Sequence, residues 1–233
     1  YGSGSGTSTY GLSSYGSART GGSSVLDAST WTFDTFGETV LGMFSGDGIL
    51  YEYTAGTDPR YVAVTGAPTG RAMLVSAERH VFILGTNNYP NRVDWSDREN
   101  RNDWTPSAIN RAGFYELQTA SALQCGKRCR GQVIIWSQTD VFALAPLSSS
   151  LVYSRQTLAT DSGAAGPQAV AVVTTDSGEM AFWIGTSNFY AYDGQVRVIP
   201  CDLYDYVFKN MNRLQRAKFY AGVTLRAAFH AAF

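Results

Sequence analysis

Four times along the chain an alternating apolar segment runs into a short polar turn and then a second segment ending in aromatic or aliphatic residues. That recurrence confines the fold to a set of small antiparallel sheets. The first pair joins Thr39-Val40-Leu41-Gly42-Met43-Phe44 to Ile49-Leu50-Tyr51-Glu52-Tyr53 through Ser45-Gly46-Asp47-Gly48, whose Asp-Gly is a strong short-range hairpin pattern. The second joins Ala72-Met73-Leu74-Val75 to His80-Val81-Phe82-Ile83-Leu84. The third joins Gln132-Val133-Ile134-Ile135-Trp136 to Val141-Phe142-Ala143-Leu144, and the fourth Met180-Ala181-Phe182-Trp183-Ile184 to Phe189-Tyr190-Ala191-Tyr192. Further strand-like segments lie at Tyr61-Val62-Ala63-Val64 and Ala169-Val170-Ala171-Val172-Val173. The expected fold is all-β, a β-propeller that is partial in this chain, with the hairpins as inner strands of successive blades. A β-sandwich with long loops is the alternative.

The spacing within this pattern is uneven. Phe82, Phe142 and Tyr190 stand as equivalent positions at unequal intervals, and the widest interval holds Val93-Asp94-Trp95-Ser96-Asp97 and Asn102-Asp103-Trp104-Thr105-Pro106. Two tryptophans flanking a run of charge, with a proline that removes a backbone donor, predict an ordered loop pinned by its aromatics between two blades. One helix is predicted over about 203–217, where Leu203, Val207, Met211 and Leu214 follow helical spacing. Asp202 can cap its first turn, and Arg213, Arg216 and Lys218 complement the dipole near its end. Its expected task is to cover an open sheet edge.

Residues 1–24 are nearly all Gly, Ser, Thr and Tyr, a composition that cannot offset the entropy of ordering by burying itself, and they read as a flexible arm. In one reading of the arm, Tyr10 and Tyr15 dock on a neighbouring subunit. Residues 25–233 form the propeller-like domain, expected to be incomplete. The chain starts at Tyr1 with no basic stretch leading into an apolar one, the pattern of a processed or partial fragment.

Composition narrows the function classes. Across 233 residues the formal net charge is −1 and only 16% of residues are charged, so no global positive field gathers nucleic acid or anionic lipid. Cys125, Cys129 and Cys201 lack the second cysteine pair or paired histidines of a zinc site and are expected to be free thiols. No apolar run approaches the ~20 residues that cross a bilayer. Only His80 and His230 are bases near neutral pH, and His80, at the start of an alternating strand, is expected to be structural. No nucleophile elbow, metalloprotease helix or phosphate-binding glycine loop is present. The carboxylates Asp94, Asp97, Glu99 and Asp103 fail the calcium-loop pattern, because Asn102 holds the glycine position and Ala108 the final glutamate position. Interspersed Arg92, Arg98 and Arg101 make them a salt-bridged loop. Lys127, Arg128 and Arg130 are expected on a solvated loop. The chain is therefore expected not to be an enzyme and to need no cofactor or metal.

Several of these runs resemble a family of bacteriophage tail proteins, the hub or nozzle of short-tailed phages. The resemblance is carried by Trp31-Thr32-Phe33-Asp34-Thr35-Phe36-Gly37-Glu38, by Arg92-Val93-Asp94-Trp95-Ser96-Asp97 with Asp103-Trp104-Thr105-Pro106, and by Val133-Ile134-Ile135-Trp136-Ser137. Phe189-Tyr190-Ala191-Tyr192-Asp193-Gly194 and Pro200-Cys201 with Asp205-Tyr206-Val207-Phe208 complete it. It implies a virion protein, made in the bacterial cytoplasm, that forms a sixfold ring lining the DNA-ejection channel. Its implied partners are copies of itself, the portal and adaptor, tail fibres or tailspikes, and double-stranded DNA in passage. Tyr10, Tyr15, Trp95, Trp104, Arg98 and Arg101 are the candidate subunit contacts, and no catalytic residue carries over. A DNA-stabilising tail plug is the nearest alternative within phages. From other classes, a carbohydrate-binding propeller comes next and a hydrolase using Asp94 or Asp97 last.

Overall fold

A computed structural model of the chain describes residues 29–148, 151–176 and 178–223, together with the strand backbone of 229–232. The fold is all-β and built from consecutive antiparallel meanders. The first sheet is β1 (Trp31–Phe36), β2 (Thr39–Phe44), β3 (Leu50–Thr54) and β4 (Val62–Ala63), and the second is β5 (Ala72–Val75), β6 (Val81–Leu84), β7 (Arg92–Trp95) and β8 (Gly113–Glu116). The third is β9 (Leu123–Cys129), β10 (Gln132–Ser137), β11 (Val141–Pro146) and β12 (Tyr153–Ala159). The fourth is β13 (Val170–Thr175), β14 (Gly178–Ile184), β15 (Phe189–Tyr192) and β16 (Val196–Ile199), after which β17 (Tyr220–Val223) pairs with β18 (Phe229–Ala232). In each four-stranded sheet the strands lie in chain order, so every connection within a sheet is local.

Alternation along these strands gives each sheet two faces, and the sheets stack through them. Leu41, Met43 and Leu50 of the first sheet pack on Met73, Val75, Val81 and Ile83 of the second. The opposite face of the second sheet, with Leu74, Phe82, Leu84, Val93 and Trp95, packs on Val133, Ile135, Phe142 and Leu144 of the third. The third then presents Ile134, Trp136, Val141 and Ala143 to Val170, Ala181, Trp183 and Tyr190 of the fourth. Even residues of β10 thus face one neighbour and odd residues the other, which is why Val133 to Trp136 is wholly apolar rather than alternating. A strand buried on both faces has no solvent side to mark with polar residues. Such sequential face-to-face stacking of four-stranded meanders is the propeller-like form of the all-β expectation.

The uneven spacing has a simple cause in this architecture. Three of the four sequence hairpins are the second and third strands of their sheets, whereas Ala72–Val75 with Val81–Leu84 is the first and second of its own. Phe82 therefore has no equivalence with Phe142 and Tyr190. Third strands begin at Leu50, Arg92, Val141 and Phe189, close to an even period of roughly 40 to 50 residues per blade. The tryptophan segment is correspondingly corrected: Arg92–Trp95 is strand β7, paired with both β6 and β8. Residues 96–112 form the loop between the third and fourth strands of one sheet.

The predicted helix is also redrawn. Its helical turn is α1 (Tyr204–Asn210), without a side-chain cap, followed by a 3-10 helix at Arg213–Lys218. Met211 and Asn212 between them are extended, and the Asn212 side chain accepts from the Leu214 amide. Phe208, Val207 and Met211 pack with Phe219 on Ala165, Ala169, Ile184 and Phe189. The segment covers one end of the fourth sheet's free face rather than a hydrogen-bonding edge.

Candidate functional site

The first strands of the sheets, β1, β5, β9 and β13, surround a central channel with β17. Side chains of β1 bond directly to the backbone of β5: Met73 N–H donates to Thr32 Oγ1 at 3.1 Å and Val75 N–H to Asp34 Oδ2 at 2.8 Å. Gln168 Nε2, just before β13, donates to the Trp31 carbonyl at 3.1 Å and ties the fourth sheet back to the first. A parallel bridge between Gln168 and Tyr220 sets β17 beside β13. The channel holds about 520 Å³, and Asp34 and Arg128 pair across its wall at 3.2 Å.

At the end where the first strands begin, the channel opens into a cavity of about 490 Å³. Most of its polar wall comes from connections between sheets, turns between second and third strands and the start of β9. Thr30 and Ser45 come from the first sheet, Arg71 from the entry to β5, Gln124 from the start of β9, and Gln138 from the β10–β11 turn. The Thr30 amide donates to Ser45 Oγ at 2.8 Å, which holds the entry of β1 to the β2–β3 turn. Beside Gln138, Asp140 Oδ2 accepts from Thr119 Oγ1 at 2.6 Å and Thr139 Oγ1 at 2.7 Å, so this carboxylate is spent on fixing the turn.

The 3-10 helix adds Arg213, Leu214, Arg216 and Ala217, and Leu123 and Pro167 complete the wall with apolar surface. A close backbone approach holds it in place: a Cβ on buried Gly166 would lie 2.1 Å from the Arg216 carbonyl oxygen. Only a glycine admits that contact. Among the described residues that line the cavity none is a carboxylate, histidine or cysteine. The described lining can bind through guanidinium, amide and hydroxyl groups.

The residues singled out in the sequence lie elsewhere. Trp95 is 4% exposed and packs with Phe82, Tyr115 and Tyr153, its Nε1–H donating to the Arg111 carbonyl at 2.8 Å. Trp104 packs against the junction of the first and second sheets and donates to the Arg101 carbonyl at 2.7 Å, while Arg101 pairs with Glu52 of β3. The loop thus grips the preceding sheet of its own chain. Arg98 is exposed, and Tyr10 and Tyr15 lie outside the described residues.

Asp97 and Asp103 are engaged by loop groups, Asp97 accepting from Arg111 N–H and Asp103 from Asn110 Nδ2, and no metal-binding cluster occurs among the described residues. His80 is buried, donates Nδ1–H to the Ser96 carbonyl at 2.8 Å, and titrates below the usual histidine range because burial disfavours its charge. The Lys127-Arg128 pair lies on β9 and not on a loop. That strand also places Cys125 and Cys129 on its face toward the fourth sheet, where burial raises their thiols to about 12 and about 11. Sequence reasoning missed the cavity residues because Thr30, Arg71 and Gln138 sit in unremarkable connections; Arg213 and Arg216 were visible only as helix-end charges.

No known protein family matches the chain, and no curated protein does. Two of the solved structures that share its fold have closely related descriptions. Both are extracellular domains from B. thetaiotaomicron, one described as belonging to a one-component system and the other to a hybrid two-component system. They match with TM-scores of 0.53 and 0.56 at 12% and 10% identity, over 86% of this chain. The chain spans about 25% of the length of each.

These findings correct the tail-nozzle expectation. The folds that the chain resembles are those of bacterial extracellular domains, so the phage tail family, the virion location and the DNA-ejection role are withdrawn. The physical reason for the error lies in the motifs. Trp95, Trp136, Tyr190 and Tyr192, which carried much of the resemblance, are buried between sheets. They record how meanders stack, which is common to propeller-like proteins whatever their task.

Proposed function

We propose that the chain is a non-catalytic ligand-binding segment of a propeller-like sensory domain, and that it receives a small solute at the mouth of the central channel. The observation that carries this reading is the cavity itself, in which polar side chains from three sheets and from the 3-10 helix converge, none of the described ones a carboxylate or histidine. Its size lies within the roughly 300 to 1,000 Å³ of small-molecule sites. The fold shared with extracellular domains of one-component and hybrid two-component systems supports sensing as the class of task. Rigid walls suit it, because each first strand is fixed by its own sheet and a ligand is met by groups already in place.

A panel of small metabolites screened by thermal shift, followed by titration calorimetry on Gln138→Leu and Ser45→Val, tests the proposal. At least one compound should raise the melting temperature and bind more weakly to both variants, and it should be recovered chemically unchanged. Binding unaffected by either substitution, or conversion of the compound, would sink the reading.

A further inference from the structure

The wall of the mouth also has a sign. Arg71, Arg213 and Arg216 all line it, and among the described residues none of the three has a carboxylate partner. Elsewhere Arg79, Arg92, Arg101, Arg128 and Arg197 each hold a carboxylate, and among the described residues Arg60, Arg98, Arg111, Arg130 and Arg155 form no ion pair; what marks the mouth is that three such guanidinium side chains line one wall. Like charges gathered in a concave, polar wall raise the local potential for an anion. Guanidinium forks match the paired oxygens of carboxylate and phosphate groups.

We propose that the mouth binds a small anionic molecule, through its carboxylate or phosphate groups, held by Arg71 at the head of β5 and by Arg213 and Arg216 on the 3-10 helix. This rests on the reading of the mouth as a ligand site. Gln124 and Gln138 supply amide donors and acceptors, and Thr30 and Ser45 supply hydroxyls, for the uncharged part of the ligand. The formal net charge of −1 makes the positive field local, which favours a compact anion over a long polyanion.

The test is titration calorimetry of the intact chain with citrate, inorganic phosphate, maltose and a short DNA duplex, at low and high salt. The variants are Arg71→Met, Arg213→Met, Arg216→Met and the conservative Arg216→Lys. Arg197→Met serves as a control outside the cavity, and far-UV circular dichroism verifies the fold of each. Citrate, phosphate or both should bind, more weakly as salt rises. Each cavity arginine-to-methionine change should cost roughly 10- to 100-fold in affinity. Arg216→Lys should recover part of that loss and Arg197→Met should cost nothing. A preference for citrate over phosphate assigns carboxylates, and the reverse assigns phosphates.

Maltose binding at the mouth while both anions fail would overturn the ligand class and leave the binding site standing. If these anions and the whole metabolite panel all left the chain unbound, the class and the site would fall together. Duplex DNA binding more tightly than either small anion would replace the proposal with a polyanion surface.

Discussion

Replacing Trp95 with alanine separates a core role from a surface role more cleanly than any other change in this chain. The indole sits between the second and third sheets, in contact distance of Phe82 (5.9 Å between centroids), Tyr115 (5.1 Å) and Tyr153 (5.5 Å), and covers Gly113 opposite it on β8. Removing a buried tryptophan side chain costs about 3 to 5 kcal/mol through lost transfer energy and the cavity left behind. The Arg111 carbonyl also loses its donor, which adds about 1 kcal/mol. The expected total is about 4 to 6 kcal/mol, a large share of the stability of a single domain.

Trp104 is half-buried and packs on the rim of the first and second sheets, so its alanine variant should lose only about 2 kcal/mol. Urea unfolding followed by far-UV circular dichroism measures both without relying on the deleted fluorophore. A Trp95→Ala protein as stable as the parent to within about 1 kcal/mol would refute the inter-sheet placement of the ring, as would a larger loss at Trp104.

Iodoacetamide at pH 8 should label half-buried Cys201 in the native protein, with Cys125 and Cys129 reacting only after denaturant is added; peptide mass spectrometry reads the order. Because the folded thiols of Cys125 and Cys129 titrate near 12 and 11 against 9.0, the unfolded chain releases its protons first above pH 9. Stability should therefore fall as pH rises from 9 toward 11, and Cys125→Ala should flatten the fall in a urea series over that range. His80 has the opposite sense: its folded value lies below 6.5, so the unfolded chain takes up the proton first on acidification. Stability should drop as pH falls through the region below 6.5, and His80→Gln should remove that component from the urea midpoints. At Gly163 a Cβ would meet the Ser137 carbonyl oxygen and the Thr139 nitrogen, each at 2.4 Å. Gly163→Ala should cost about 1 to 3 kcal/mol, and an unchanged melting temperature would contradict the close approach.

The hairpins were legible because Thr39–Phe44, Gln132–Ser137 and Met180–Ile184 carry their apolar side chains in runs bounded by turn residues, a local pattern that backbone geometry alone enforces. The phase of the second sheet was not. Arg92–Trp95 is a short, polar-looking run whose Asp94 is buried and paired with Arg92 at 2.8 Å, and only its position between β6 and β8 makes it a strand. The break at Met211 was equally hidden, since Leu214 keeps helical spacing while being exposed on a separate turn.

What the sequence by itself determined is the class of the fold: alternation and turn chemistry act over a few residues, so β-meanders and a short C-terminal helix could be read directly. Tertiary structure decided which faces meet, that the conspicuous tryptophans are interior, and that Thr30, Arg71, Gln138, Arg213 and Arg216 share one cavity. Those residues lie far apart along the chain, and their proximity follows from how four sheets pack around an axis, a relation that no local pattern encodes.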